Sequence, residues 1–387
     1  MLTMYTRFLP VPDHSFFLFG PRGTGKTTWL RRNLHEAKWF DLLRSNELLK
    51  FMQEPSRLRL EVEALKPGSW VVIDEIQKFP ALLDEVHSLI ADHGGRYLFA
   101  LSGSSARKLK RLDANLLAGR VINRKFFPLT GVELDYDFQV DDLLRYGTLP
   151  KVCAEPQHRI DILEAYAANY IKEEIQQEAV VQNLASFSRF LEVAAIMNAQ
   201  IMNVSNTARD AGVARPTVQR YFDALVDTLI GFWLPAWWPR AKVKEVSHPK
   251  FYFFDTGVVR AIQNRLREPL ESAERGPLLE TLVLHELRAG INSLSCGGEL
   301  FYWRTPSHSE VDFIWVRGKR AVGIEVKAAA VWKSDYGNCL KELFFQKQIQ
   351  KGIGVYLGQE RLKDRAVEIL PLKSFMKDLA QGKILTA

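Results

Sequence analysis

Residues Gly20-Pro21-Arg22-Gly23-Thr24-Gly25-Lys26-Thr27-Thr28 lie between a short apolar run, Phe16–Phe19, and a helical pattern carried by Trp29, Leu30 and Leu34. A loop of this glycine spacing, set between a strand and a helix, is the phosphate-cradling P-loop. Its glycines let the backbone wrap closely, so that N–H groups and the helix N-terminus face a β-phosphate. Lys26 then neutralises β/γ charge and Thr27 ligates Mg²⁺. Because the loop needs a strand before it and a helix after it, the N-terminal third is expected to be an α/β layer structure.

Other runs fit the same sheet. Trp70–Ile73 ends in Asp74-Glu75, the pattern of a Walker B strand, in which Asp74 completes the Mg²⁺ shell and Glu75 polarises the attacking water. Tyr97–Leu101 ends in Ser102-Gly103-Ser104-Ser105, which puts a hydroxyl at the carboxyl end of a strand, where ligands of such sheets gather. Ser102 is thus a candidate sensor of the γ-phosphate, while Ser104 or Ser105 suits a helix cap. Arg107, Arg111 and Arg120 follow, each a candidate arginine finger as well as an ordinary solvated arginine. Lys38–Asp41 and Val121–Arg124 complete the strand candidates, with Asp41 read as a helix cap. Strands alternate with helices to about residue 130, which implies a doubly wound, mostly parallel sheet.

The 387 residues allow two or three domains at roughly 100–200 residues each, and the 47% hydrophobic and 25% charged fractions are those of globular chains. No apolar run approaches the ~18 residues that span a bilayer, and the first residues carry no secretion signal, so a cytoplasmic location without membrane contact is expected. Cys153, Cys296 and Cys339 have no metal-ligand spacing and read as free thiols. Residues 300–387 hold 15 basic and 9 acidic side chains, so most of the net charge of +7 resides there and a polyanion is a reasonable partner for that segment.

Residues 158–200 have helical periodicity, with Ile162, Ala165, Tyr166 and Tyr170 on one face. Val204–Ala211, Gly212 and a second helix starting near Arg215-Pro216-Thr217 have the spacing of a helix-turn-helix. Thr217, Gln219 and Arg220 would reach a DNA groove if they face outward, whereas a connector or protein-docking role needs no such contact. Phe232, Trp233, Trp237 and Trp238 read as an aromatic core or hinge.

Phe251–Asp255 is read as the strand that opens a C-terminal domain, followed by an amphipathic helix from Pro277 on which Glu280 shares a stripe with Leu284, Leu287 and Ile291. A carboxylate on a buried stripe is costly unless paired or bound to metal. Leu300–Arg304 and Glu310–Trp315 read as antiparallel strands, followed by Ala321–Lys327. Glu325 and Lys327, two apart, share one strand face, with Asp312 on the neighbouring strand. The trio can form an oxygen-rich Mg²⁺ or Mn²⁺ site in which Lys327 activates a water, or it can be a surface ion pair with a bystander. The arrangement resembles the Asp…Glu-x-Lys core of restriction-endonuclease-like nucleases, with Glu280 as the helix carboxylate.

The motif order as a whole resembles the prokaryotic predicted ATPases of the AAA+ superfamily, in which a P-loop domain is joined through a winged helix to a C-terminal domain of unknown function with a nuclease-like fold. Gly20–Thr27, Trp70–Glu75, Leu101–Ser105, Asn115–Arg120, Tyr146–Pro150, Thr217–Leu225, Phe251–Gly257 and Tyr302–Lys327 carry the resemblance. It implies an ATPase at 1–155, a helical and winged-helix segment at 156–245 and a nuclease-like α/β domain at 246–387. It also implies ATP with Mg²⁺, assembly of several copies, and Arg120 as the first choice for a finger acting in trans. The expected function is ATP hydrolysis coupled to a DNA-binding, metal-dependent nuclease-type domain. The alternative is a nucleotide-switched docking or signalling module without nuclease activity.

Overall fold

The computed structural model describes residues 5–105, 117, 119–171, 183–238, 248–306 and 309–385. Arg107 and Arg111, half of the Asn115–Arg120 motif and part of the 158–200 helical stretch lie outside the described residues. The chain divides into two compact units: Leu9–Pro128 with Asp227–Leu229, and Met1–Phe8 with Leu129–Val226 and Ile230–Ala387.

The first unit is built on β1 (Phe16–Phe19), β2 (Lys38–Asp41), β3 (Trp70–Asp74), β4 (Leu98–Gly103) and β5 (Ile122–Lys125), all parallel, in the order β2-β3-β4-β1-β5. Successive side chains of a strand point to opposite faces. Phe16, Leu18, Val72 and Ala100 therefore pack with Trp29 and Leu30 on one side, and Phe17, Val71, Ile73, Phe99 and Leu101 pack with Phe40, Val86 and Leu89 on the other. Both faces are covered, which is why these strands are nearly continuous apolar runs and why the sheet can be parallel.

In the second unit, helices Leu184–Ile196, Val204–Ala211 and Arg215–Asp227 sit with a small antiparallel sheet of β6 (Gln200–Ile201), β7 (Gly231–Leu234) and β8 (Lys250–Phe253), ordered β6-β8-β7. This is a winged-helix arrangement. Asn203 caps the second helix by accepting from the backbone N–H groups of Ser205 and Asn206, and Gly212 ends it in the left-handed conformation. The core is aromatic: Phe222 lies 4.8 Å from both Trp233 and Phe251, ring centre to ring centre. Trp233 thus belongs to the core, while Trp238 is partly exposed. Gln219 and Arg220 are exposed on the third helix, bonded to Asp223 and Thr217 respectively, and Thr217 is half-buried.

One expectation changes here. The strand at residues 250–253, read as the opening of the C-terminal domain, pairs with β6 and β7 and so belongs to the winged-helix sheet. Its bulky Phe251 and Phe253 fill the aromatic core, which outweighs its position in the chain. Residues 129–155, expected with the ATPase, also belong to the second unit. They are tied there by Asp255, whose carboxylate accepts from Thr148 N–H at 2.8 Å and caps helix Thr256–Ile262 through Val258 N–H.

The rest of the second unit is a six-stranded mixed sheet of β9 (Glu299–Arg304), β10 (Glu310–Arg317), β11 (Arg320–Lys327), β12 (Lys351–Tyr356), β13 (Leu362–Asp364) and β14 (Val367–Pro371), ordered β13-β14-β12-β11-β10-β9. The β9–β10–β11 meander is antiparallel as expected, and β12 and β14 add in parallel. Val322, Ile324 and Val326 pack with residues of helices Ser272–Ser293 and Leu372–Ala380, while Val311 and Ile314 pack with Leu340 and Leu343 of helix Asn338–Phe345. Helices therefore cover both faces of this sheet.

Glu286, on helix Ser272–Ser293, is buried, and its carboxylate accepts from Gly131 N–H at 2.7 Å. Burial pushes it up to about 8. A carboxyl raised above its unfolded value contributes stability that is present below about 4.5 and is lost as pH rises through 8. Melting or urea titration at several pH values should show Glu286→Gln and the wild type alike at pH 5. At pH 9 the variant should be the more stable, by on the order of 2–4 kcal/mol for the unit that contains it. Equal pH slopes would show that Glu286 does not titrate in this range.

Candidate functional site

The P-loop turns from β1 into helix Lys26–Asn33 through Gly25, whose φ of 92° is open to glycine and strained for other residues. Thr24 is buried and its hydroxyl donates to Pro21 O at 2.8 Å, closing the loop on itself. Lys26 is buried, with Nζ donating to Gly20 O at 2.7 Å and Pro21 O at 3.1 Å, so the ammonium lies folded over its own loop. Arg22 and Thr27 are half-buried and Gly23 and Thr28 are exposed.

The carboxyl end of β3 meets this loop. Thr27 Oγ1 donates to Asp74 Oδ2 at 2.8 Å, and Ser102 Oγ donates to Asp74 Oδ1 from the end of β4. Asp74 is buried with both oxygens engaged by hydroxyls. The next residue, Glu75, takes a left-handed backbone (φ 61°), and its N–H donates to Ser102 Oγ at 3.3 Å. The side chain of Glu75 is held by Gln77 Nε2 and by Ser104 Oγ, the latter at 3.4 Å. Gln77 Nε2 also bonds Ser104 Oγ at 3.0 Å. A non-glycine residue at positive φ is costly and persists where its surroundings fix it; here the turn aims the carboxylate at a polar cluster instead of the sheet.

Lys26, Thr27, Asp74, Glu75 and Ser102 thus converge at the carboxyl ends of β1, β3 and β4. The donor set fits a Mg–nucleotide: backbone N–H groups and an ammonium for phosphate oxygens, and a hydroxyl 2.8 Å from a buried carboxylate for the cation. Gln77 was not singled out from the sequence. Its only signal is an amide side chain two residues past the acidic pair, where a 3₁₀ turn (Ile76–Lys78) folds it back. Arg120 is exposed, and its guanidinium contacts the His87 ring.

The second cluster lies wholly in the second unit. Asp312 Oδ2 accepts from Val326 N–H at 2.7 Å, across the β10–β11 ladder. The pairing of β10 with β9 shifts register between Val311 and Ile314, so Asp312 sits in an irregular step of its strand. Glu325 Oε1 is bonded by Lys327 Nζ, and its Oε2 is buried with no hydrogen-bond partner among the described residues. Glu280 Oε2 accepts from Tyr252 Oη at 2.9 Å and from Lys250 Nζ at 3.3 Å, and the same ammonium lies 2.5 Å from Glu310 Oε1.

Burial, and then the charge of Asp312, push Glu280 up to about 7 and drive Glu325 well above the carboxylate range. Asp312 is raised by burial and held back chiefly by Lys250 and Lys327. The four residues expected together therefore share one electrostatic environment. As a metal centre they do not fit: among the described residues, no three His, Cys, Asp or Glu side chains are arranged to hold a metal ion. Two lysines take up the carboxylates instead. Lys250 and Tyr252 were missed because they come from β8 of the winged-helix sheet, and the one trace in the sequence is a lone lysine heading the apolar run Phe251–Phe254. The three cysteines are free and half-buried, and burial pushes the Cys153 thiol up to about 12. Among the described residues no helix is long and apolar enough to cross a membrane.

Residues 13–134 match an AAA domain family, residues 137–268 a domain of unknown function (DUF8612) and residues 275–375 another domain of unknown function (DUF4143). The AAA match covers β1 to β5 and every residue of the first cluster, so the N-terminal unit is a P-loop domain of the AAA type. Uncharacterized proteins of Mycobacterium bovis and Mycobacterium tuberculosis are each 27% identical over 363 residues, 91% of this chain and 79% of theirs. Among solved structures, a variant of RuvB from Thermotoga maritima matches at 17% identity and TM-score 0.29, over 57% of this chain and 81% of its own. The DNA clamp loader delta protein of Bacillus subtilis matches at 12% identity and TM-score 0.24, over 70% and 95%. These structural similarities are too slight to bear on function.

Proposed function

We propose that this protein binds and hydrolyses ATP with Mg²⁺ in its N-terminal unit and uses that cycle to control DNA binding by its winged-helix and C-terminal parts. The observation that carries the reading is the Thr27–Asp74–Ser102 hydroxyl–carboxylate chain set beside a buried Lys26. Lys26 and the loop N–H groups bind the phosphates, Thr27 and Asp74 hold Mg²⁺, and Ser102 orients Asp74. Mg²⁺, when bound, offsets the charge that builds on the phosphates. Glu75 polarises the attacking water once its side chain leaves Gln77 and Ser104. Arg120, exposed, is available to a neighbouring copy of the chain, which fits assembly into a homo-oligomer.

DNA is favoured as the partner by the basic excess of residues 300–387, which includes the exposed hairpin turn Arg317-Gly318-Lys319-Arg320, and by exposed Arg215, Gln219 and Arg220 on the third winged-helix segment. A second reading, a nucleotide-switched docking module without nuclease activity, is favoured by one observation: lysines occupy the carboxylates of the nuclease-like cluster.

Equilibrium binding of duplex DNA from 50 to 300 mM salt, with and without ATP and Mg²⁺, tests the proposal. A polyanion binder that neutralises several phosphates should lose affinity steeply, with log K linear in log salt. Binding that is absent, or indifferent to salt, would favour the docking module. Incubation of supercoiled DNA with Mg²⁺ or Mn²⁺, beside Lys327→Ala, decides whether the C-terminal cluster cuts: cleavage lost in the variant would assign it, and no cleavage by either protein would leave a binding domain.

A further inference from the structure

A cavity of about 770 Å³ lies wholly in the second unit, apart from both clusters and of the size that holds a small molecule. Glu133 fixes its wall. The buried carboxylate accepts from Thr130 N–H and from Arg7 Nε, both at 2.8 Å, and from Phe8 N–H at 2.6 Å, so Tyr5–Phe8 is held against the turn that starts at Thr130. Tyr136 N–H donates to Gly131 O and Asp137 N–H to Leu134 O, each at 2.9 Å, and these bonds fix the left-handed backbone of Asp135 (φ 51°) and Tyr136 (φ 57°). Glu133, Asp135, Asp137 and Asp142 line the cavity against only two cations, Arg7 and Arg159. Arg7 pairs with Glu133, and Arg159 Nη1 lies 3.3 Å from Asp142 Oδ1 with its guanidinium carbon 3.6 Å from the centre of the Tyr146 ring. Asp135 and Asp137 are exposed, and their carboxylates have no partner among the described residues. Two negative charges are thus left over on a stiff turn, in a cavity also lined by half-buried Tyr5 and Phe8.

We propose that this cavity binds a guanidinium group carried on an alkyl chain, with Asp135 and Asp137 as its carboxylate partners and the aromatic lining as the surface it stacks on. The lining already treats guanidiniums of its own chain in this way: Arg7 is bonded to Glu133, and Arg159 lies between the Asp142 carboxylate and the Tyr146 face. A guanidinium is planar and weakly hydrated, and it offers a fork of donors to carboxylates and a flat face to aromatic rings. An ammonium brings the same charge but is compact, strongly hydrated and has no face to stack. The surplus of carboxylates disfavours anions, and apolar Val132 and Val152 in the lining suit the methylenes of the chain. Because the turn and the Tyr5–Phe8 segment are held by backbone hydrogen bonds, little has to be ordered when the ligand enters. This binding function depends on neither the nucleotide site nor the reading of DNA as a partner.

The test is calorimetric titration of the full-length protein with butylguanidinium, with N-acetylarginine amide, and with the lysine and citrulline counterparts of the latter. Both guanidinium compounds are expected to bind. The citrulline compound, which keeps the shape and lacks the charge, should bind roughly tenfold more weakly or worse, and the lysine compound several-fold more weakly. Asp135→Asn, which keeps a residue suited to left-handed backbone, and Asp137→Asn should each weaken N-acetylarginine amide by about tenfold, with melting temperature and ATP turnover as in the wild type. Asp161→Asn, exposed and outside the cavity, should leave the affinity unchanged. No binding of either guanidinium compound, equal binding of the citrulline compound, or wild-type affinity in both Asp135→Asn and Asp137→Asn overturns the proposal, and equal binding of the lysine compound overturns the choice of a guanidinium. The ligand series needs no variant, so it decides even if one fails to fold. N-acetylarginine amide binding roughly tenfold better than butylguanidinium upholds the proposal with a polypeptide arginine as the source, and equal affinities uphold it with a free guanidino compound.

Discussion

Lys26→Ala is expected to lower ATP hydrolysis by on the order of a thousandfold without unfolding the N-terminal unit. The reason lies in where the ammonium sits. It is buried, and it bonds the neutral carbonyls of Gly20 and Pro21 in its own loop. A nucleotide offers that charge a phosphate oxygen instead, and the attraction grows as charge develops on the transferred group in a water-poor site. Removing the ammonium deletes this gain outright, while the folded loop loses two bonds to carbonyls that water can replace. Phosphate release measured under saturating ATP, beside circular dichroism, checks both halves. Lys327→Ala serves as the control, because it lies in the other unit and should leave turnover unchanged. Wild-type turnover in Lys26→Ala would overturn the assignment of the P-loop as the hydrolytic site, and loss of turnover in Lys327→Ala would overturn the division of labour.

Gly147→Ala is expected to destabilise the second unit strongly. Gly147 has φ 69° and ψ −161°, a region populated almost only by glycine. A Cβ there would lie 2.0 Å from Asp255 Oδ1 and 2.4 Å from its Cγ and Oδ2. Asp255 cannot step aside cheaply, because its two oxygens accept from Thr148 N–H at 2.8 Å and Val258 N–H at 3.0 Å inside a buried site. Strain of about 1–3 kcal/mol and the loss of the two buried hydrogen bonds at about 1–3 kcal/mol each add to an expected cost of roughly 3–9 kcal/mol. That is a large share of what a domain has to lose. Thermal melting and soluble yield measure it, and a melting temperature within a few degrees of wild type would show that the turn tolerates a side chain.

The nucleotide site was legible because its parts are contiguous and each falls at a strand end: Gly20–Thr28 after β1, Asp74-Glu75 after β3, Ser102 at β4. Chain direction and two-residue periodicity suffice to gather them on one edge of a parallel sheet. The same periodicity placed Glu325 and Lys327 on one face of β11, and the ion pair between them follows. Lys250 could not be placed in this way, since its approach to Glu280 and Glu310 depends on how β8 packs, and β8 pairs with strands far from it in sequence. Gln77 escaped for a local reason: a turn that begins with a left-handed glutamate has no periodicity to read. The partnership of Gly147 with Asp255 was legible only as two short segments, Tyr146–Pro150 and Phe251–Gly257, that stood out separately. Neither segment states that the other is its neighbour.

β8 is four residues long, about 13 Å of stiff backbone. Along its edges it is laddered to β6 and β7; its first residue puts an ammonium among the acidic side chains, and two residues past its last strand residue Asp255 grips the Thr148 turn. Such a segment behaves as a push-rod. A load on the small sheet displaces both of its ends by the same amount, because an extended strand neither stretches nor shortens appreciably. Mechanical force applied at the winged helix thus has a rigid line of travel into the acidic cluster.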